Sequence, residues 1–253
     1  MEERITSRKN ALLQQVKRLL SSKKEREALG LFAADGTKLL QEAARYWPGL
    51  ETVILSDGVE ADLPAHCRVV RVPADVMESV SPMASPQGAV FLCRLPEKTA
   101  FVPQRGMLLL DGIQDPGNLG TILRTADALN VPTAILEGCA DPYSHKVVRA
   151  SMGAVFRREV CVTTWEEARQ KCADAGIPVA VTALNARSED IRNVDIASMA
   201  VVIGSEGQGI RQEILDSASQ SLVIPMNPHC ESLNAAVAAA IAMWQMDKLP
   251  RKQ

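Results

Sequence analysis

Residues 201–234 constrain the fold more than any other stretch of this chain. They read Val-Val-Ile-Gly-Ser-Glu-Gly-Gln-Gly-Ile, a charged segment, then Ser-Leu-Val-Ile-Pro-Met-Asn-Pro-His-Cys-Glu-Ser-Leu-Asn. The first apolar run ends in three glycines, the pattern of a buried strand delivering its C-terminal end into a loop. Gly204, Gly207 and Gly209 let the backbone approach a ligand closely or take positive φ. The second run, 222–226, delivers a loop that ends at Ser232-Leu233-Asn234, and a long alanine-rich helix follows. Two strand ends, two loops and a helix start then converge on one place. Open α/β sheets bind ligands in such a crevice.

The surrounding sequence extends this pattern. Apolar runs predict strands at 107–110, 133–136, 159–162, 179–183, 200–203 and 222–224. Helical spacing predicts helices at 119–129, 144–156, 165–175, 211–217 and 233–248. Alternating β and α with apolar strands implies a parallel sheet covered on both faces. Ahead of it, 7–22 reads as an amphipathic helix capped by Ser7, and 21–26 as a polar connection. Strands at 31–34, 52–55, 68–72 and 89–94, with helices at 37–46 and 75–80, complete a smaller α/β domain. Pro96 and Pro103 interrupt a stretch without periodicity, which reads as a linker. The expected organisation is a domain over 1–95, a linker over 96–105 and a second domain over 106–253.

Composition narrows the function classes. The chain is 47% apolar, enough for a real core, and only 4% aromatic, too little for platforms that stack many bases. Net charge is −2, but residues 1–30 carry eight Lys or Arg against four Glu. Segregated positive charge of this kind suits phosphates, with Arg8, Lys9 and Arg26 as candidates; a solvated helix face reads equally well from charge alone. No apolar run is long enough to span a membrane, and the N-terminus lacks a signal-peptide core. Six cysteines without Cys-x-x-Cys spacing are expected to be reduced thiols of a cytoplasmic protein. His229-Cys230-Glu231 is a single sequential trio, short of a metal-ligand set, so no metal is expected.

Asp115-Pro116-Gly117-Asn118 is turn chemistry between a buried strand and a helix, with Asn118 as the expected cap. Arg124 lies six residues on, among Ile122, Leu123, Thr125 and Ala126. A solvated surface charge does not explain an arginine there well.

Asn118-Leu119-Gly120-Thr121-Ile122-Leu123-Arg124 resembles the first motif of the SpoU-type (TrmH-like) RNA ribose 2'-O-methyltransferases. Ile203–Gly209 resembles their second, and Ile224-Pro225-Met226 with Glu231-Ser232-Leu233-Asn234 their third. The resemblance covers about residues 106–249. Ile5-Thr6-Ser7 with Asn10, and Leu31-Phe32 with Asp35-Gly36, resemble the RNA-substrate-binding domain found ahead of such catalytic domains, although relatives carry Glu where this chain has Asp35. The third-motif loop also departs, with Asn227-Pro228-His229-Cys230 where many relatives carry Gly.

The resemblance implies an α/β fold whose C-terminal parallel-sheet domain holds a deep trefoil knot of the SPOUT type, preceded by a small α/β substrate-binding domain. The general rule is against knots. It implies S-adenosyl-L-methionine as methyl donor, an RNA partner, ribosomal before transfer RNA, and a homodimer. Asn118, Arg124, Glu206, Ser232 and Asn234 become the catalytic candidates. Leu184, Gly204, Ile224, Met226 and Leu233 become the cofactor-binding ones, and Arg149 joins the RNA-binding ones. A guanidinium stays protonated in proteins, so Arg124 suits a clamp on phosphate and alkoxide better than a general base. Two rival classes remain: a non-catalytic RNA-binding module of the same fold, and a dinucleotide-dependent oxidoreductase. The first would have little use for the five catalytic candidates. The second lacks Gly-x-Gly-x-x-Gly after its first strand.

Overall fold

The structure, a computed structural model, describes residues 3–205 and 207–246. In chain order its regular elements are β1 (Glu3–Arg4), α1 (Ala11–Ser21), α2 (Lys23–Leu29), β2 (Leu31–Asp35), α3 (Thr37–Tyr46), β3 (Leu50–Ser56), β4 (Arg68–Val72), α4 (Ala74–Val80) and β5 (Ala89–Arg94). Then come β6 (Met107–Leu110), α5 (Pro116–Leu129), β7 (Thr133–Leu136), α6 (His145–Ala150), α7 (Ala154–Arg157), β8 (Cys161–Thr163), α8 (Trp165–Asp174) and β9 (Val179–Thr182). β10 (Glu189–Asp190), β11 (Ala200–Ile203), α9 (Gln212–Ser217), β12 (Gln220–Val223) and α10 (Ala235–Met246) complete the chain. Two compact units result. The first runs up to Glu97 and takes in Asp141–Arg158; the second holds Lys98–Ala140 and the chain from Glu159 onward.

The first unit is built on a mixed sheet in the order β1-β4-β3-β5-β2. α1 lays Leu13, Val16, Leu19 and Leu20 on it, the stripe that helical spacing predicted. Its cap is Asn10, not Ser7: Asn10 Oδ1 accepts from the Leu12 N–H at 2.9 Å, and the helix starts four residues later than expected. The expected polar connection is largely helix α2. Ser22 caps it by accepting from the Glu25 N–H, and Gly30 at φ 64° ends it. The Ser-x-x-Glu signature of a capped helix start was present in the sequence. The helix expected over 144–156 breaks into α6 and α7, because Met152 and Gly153 both take positive φ, 50° and 86°.

The second unit is a seven-stranded sheet in the order β10-β12-β9-β11-β6-β7-β8, every pairing parallel. Leu109, Val181 and Val202 pack with Trp165, Ala168 and Ile214 on one face. Their strand neighbours Leu108, Leu110, Val201 and Ile203 point the other way and are equally buried. A sheet buried on both faces reads as continuous apolar runs rather than alternation, which is what made these strands legible. Parallel pairing also sends the C-terminal ends of β6, β9, β11 and β12 to one edge. The motif-bearing loops therefore leave from the same side of the sheet.

Candidate active site and cofactor cavity

The loop after β6 opens α5. Asp115 caps it, accepting from the Asn118 N–H at 2.8 Å, and Pro116 occupies the first position, where its missing N–H costs nothing. Asn118 thus lies inside the first turn rather than capping it. Its Oδ1 accepts from Asn234 Nδ2 at 3.0 Å. Asn234 caps α10, its Oδ1 accepting from the N–H groups of Ala236 and Val237 at 3.0 and 3.3 Å. One amide therefore does two jobs. Its oxygen starts the last helix, and its nitrogen ties the first motif to the third.

Arg124 sits on the exposed side of α5, whose other side buries Leu119, Ile122, Leu123 and Ala126. It is a surface residue after all, and it makes no hydrogen bond or ion pair with a described residue. It shares a groove of about 710 Å³ with Asn118 and Asn234, walled on one side by Val237, Ile241 and Trp244 of α10. Helix α10 is half covered: Ala235, Ala239, Ala242 and Met243 are buried, whereas Trp244 is 69% exposed.

A second cavity, of about 320 Å³, opens where the ends of β9, β11 and β12 meet the start of α10. All five residues expected to bind cofactor line it: Leu184, Gly204, Ile224, Met226 and Leu233, together with Ser232. Thr182, Ser205 and Gln208 also line it and were not anticipated, although a strand-end rule applied to β9 would have found Thr182. The loop after β11 closes on itself through Ser205 and Gly209, each donating its N–H to the other's carbonyl at 3.0 Å. A Cβ on Gly204 would fall 2.6 Å from the backbone of Gly209 and from Ile210, so the turn admits only glycine. Glu206 lies outside the described residues. Asn227 closes a turn under His229 and Cys230, accepting from both N–H groups at 3.0 and 2.8 Å.

Behind the first loop, the Cys139 thiol donates to the Leu110 carbonyl and accepts from the Ile113 N–H, both at 3.2 Å. Burial pushes its pKa up to about 11. Among the described residues, no group of three or more His, Cys, Asp or Glu gathers as a metal site would require.

The candidate RNA-binding residues of the first unit divide. Arg8 is exposed and pairs with Asp75 at 2.8 Å, and Lys9 is exposed. Arg149 is partly exposed and leans on buried Asp35 at 3.3 Å; burial raises the Asp35 carboxyl above its usual range, with Arg149 and His145 opposing. Arg26 must be withdrawn. It is 5% exposed, donates twice to Asp141 Oδ2 at 2.8 and 2.5 Å, and donates to the Leu19 carbonyl at 2.6 Å. That guanidinium holds the first unit together and cannot reach a phosphate.

Comparison with known proteins identifies the family. Residues 106–244 match the model of the SpoU rRNA Methylase family, and residues 10–90 match the MRM3-like substrate binding domain. The 23S rRNA (guanosine(2553)-2'-O)-methyltransferase RlmP of Bacillus subtilis is 32% identical, over 96% of this chain and 99% of that protein. An uncharacterized tRNA/rRNA methyltransferase of Synechocystis is 30% identical, over 95% and 92%. The AdoMet-bound rRNA methyltransferase of Sinorhizobium meliloti superposes with a TM-score of 0.85 at 28% identity, covering 96% of this chain and 97% of that one. This chain belongs to the SpoU family of S-adenosylmethionine-dependent RNA methyltransferases.

Proposed function

We propose that this protein methylates a ribose 2'-hydroxyl of 23S-type ribosomal RNA, with Asn118, Arg124, Ser232 and Asn234 at the reacting centre. One observation carries the reading. The first turns of α10 separate two concavities, an apolar cavity lined by Ala235 and Ala238 and a groove that holds Arg124, Asn118 and Asn234. Methyl transfer needs the acceptor oxygen in line with the donor's methyl and sulfur, and the run Ser232-Leu233-Asn234 borders both concavities, its first two residues on the cavity and the third on the groove. The cavity fits the donor: its size falls in the range of small-molecule sites, and its wall is mostly apolar with a few polar groups at the glycine loop.

S-adenosylmethionine supplies a methyl group on a sulfonium, which needs a correctly aligned oxygen more than it needs activation. Leu184, Ile224, Met226 and Leu233 would hold the adenosine part by apolar contact, while the backbone at Gly204 leaves room for close approach. Arg124, with no partner among the described residues, would take the phosphate next to the target ribose and stabilise negative charge as the 2'-hydroxyl loses its proton. Asn234, fixed by its cap, would hold Asn118 toward the same hydroxyl. Positioning of this kind is worth roughly 7–11 kcal/mol of barrier.

Arg8, Lys9 and Arg149 would guide RNA onto the first unit. The exposed Val237, Ile241 and Trp244 suit a symmetric dimer, in which one patch complements itself. Membership of the SpoU family supports a chain threaded as a trefoil knot. An rRNA substrate and six free cysteines suit a cytoplasmic address. The test is transfer of a labelled methyl from S-adenosylmethionine to ribosomal RNA. After alkaline hydrolysis the label should lie in alkali-resistant dinucleotides, because cleavage needs a free 2'-hydroxyl; label found only in mononucleotides, on a base, overturns the ribose assignment.

A further inference from the structure

We propose that Asp111 is a positioning residue for the glycine-rich loop of the cofactor cavity, acting through Arg211; the inference rests on the cavity being the S-adenosylmethionine site. Asp111 directly follows β6 and is fully buried. Its N–H donates to the Ile203 carbonyl at 2.8 Å, which carries the β6–β11 pairing up to the residue before Gly204. Its carboxylate reaches the other end of the loop. Oδ2 accepts from the backbone N–H of Arg211 at 2.9 Å, and Oδ1 accepts from Arg211 Nε at 2.7 Å. Gly112, at φ 65°, passes alongside Ser205: a Cβ built on it would meet the Ser205 Cβ at 3.8 Å, an ordinary contact.

The loop is thus anchored at both ends by one residue, its start by the Asp111 backbone and its end by the Asp111 carboxylate. Between the anchors lie Gly204, Ser205, Gln208, Gly209 and Ile210, all of which line the cavity. Arg211 immediately precedes α9 and has no side-chain cap of its own there. Its Nη1 meets Glu213 at 3.1 Å and Glu137 at 3.9 Å on the exposed side, and its buried Nη2 has no hydrogen-bond partner among the described residues. The acidic partners on the exposed side meet only Nη1, and Asp111 holds this arginine from the buried side through both its backbone N–H and its Nε. A carboxylate accepting both a backbone and a guanidinium N–H makes bonds of the strong, charge-assisted kind. An ordinary core ion pair would stabilise the unit without favouring one shape of this loop. The loop anchor predicts a selective effect on cofactor binding.

Asp111→Asn is nearly isosteric, but its amide cannot accept at both positions. Calorimetry on the full chain should show wild-type protein binding S-adenosylmethionine and Asp111→Asn binding it at least about tenfold more weakly. RNA affinity should stay unchanged, and kcat at saturating S-adenosylmethionine should stay within about threefold. In cofactor-free protein, the amide of Gly209, bonded to the Ser205 carbonyl, should exchange faster in the variant. Cofactor affinity within twofold of wild type, with unchanged exchange at Gly209, overturns the proposal. If Asp111→Asn does not fold, Arg211→Lys keeps the backbone N–H and the charge but loses Nε; affinity equal to wild type there overturns it as well. Failure of wild type to bind S-adenosylmethionine would instead refute the cavity assignment, and faster exchange at Gly209 in Asp111→Asn would still support the anchor.

Discussion

Arg124→Ala separates chemistry from structure more cleanly than any other substitution. Arg124 is exposed and makes no hydrogen bond or ion pair with a described residue, so its loss should change stability by no more than about 0.5 kcal/mol. It does not line the cavity of Leu184, Gly204 and Leu233, so S-adenosylmethionine affinity should stay near wild type. If the guanidinium stabilises charge developing at the ribose oxygen, its removal costs about 2.7–4 kcal/mol of barrier, a fall in kcat of roughly 10²–10³. Arg124→Lys should recover little, since a point charge does not reproduce a planar fork of donors. The assay is single-turnover methyl transfer at saturating RNA and S-adenosylmethionine, with urea denaturation and calorimetry alongside. A kcat within threefold of wild type would remove Arg124 from the mechanism. A large loss of cofactor affinity would refute the division into two concavities.

Asn234→Asp should keep the α10 cap, because a carboxylate accepts from Ala236 and Val237 as well as an amide does, but it cannot donate to Asn118; urea stability should hold while kcat falls at least tenfold, and unchanged turnover would sever the Asn118 link. Arg26→Met leaves Asp141 without its buried partner and should destabilise the protein by about 3–5 kcal/mol in urea; weakened RNA binding at intact stability would return Arg26 to the RNA surface. Trp244 is the most exposed large apolar side chain described on α10, so Trp244→Glu probes assembly. Sedimentation should show a wild-type dimer and a dissociated, weakly active variant, whereas an active wild-type monomer at assay concentration would end the dimer proposal. Iodoacetamide at neutral pH should label exposed Cys230 and spare Cys139, whose half-buried thiol, its pKa pushed up to about 11, stays protonated there; peptide mapping that finds Cys139 modified first would contradict its placement.

The strands that carry the site were legible because both of their faces are buried. β6 and β11 are unbroken apolar runs, β7 is one after its opening Thr133, and all three fall where the sequence predicts them. Gly204, Ile224, Met226 and Leu233 could be placed on one cavity because motif order fixed which strand ends delivered them, whereas Leu184, beyond β9, came only with the family resemblance. What the sequence hid is set by partners far along the chain. Arg26 looks like one more positive charge in a basic segment until it meets Asp141, 115 residues away. Residues 141–158 sit between two strands of the second sheet in sequence but pack with the first unit, through side chains such as Val147 and Phe156 that spacing alone cannot assign. The break between α6 and α7 depends on positive φ at Met152, a residue type that gives no such signal. Asp111 reads as the polar end of an apolar run, and only the fold brings Arg211 to it.

The most direct measurement of the central claim is mass-spectrometric mapping of 2'-O-methyl groups in ribosomal RNA from cells with and without this protein. We predict that one 23S-type rRNA ribose loses its methyl when the gene is deleted. Expression of the wild-type chain should restore it, and expression of Arg124→Ala, folded and able to bind S-adenosylmethionine, should not. An unchanged set of ribose methylations in the deletion strain, with a change in transfer RNA or at a base instead, would contradict the account.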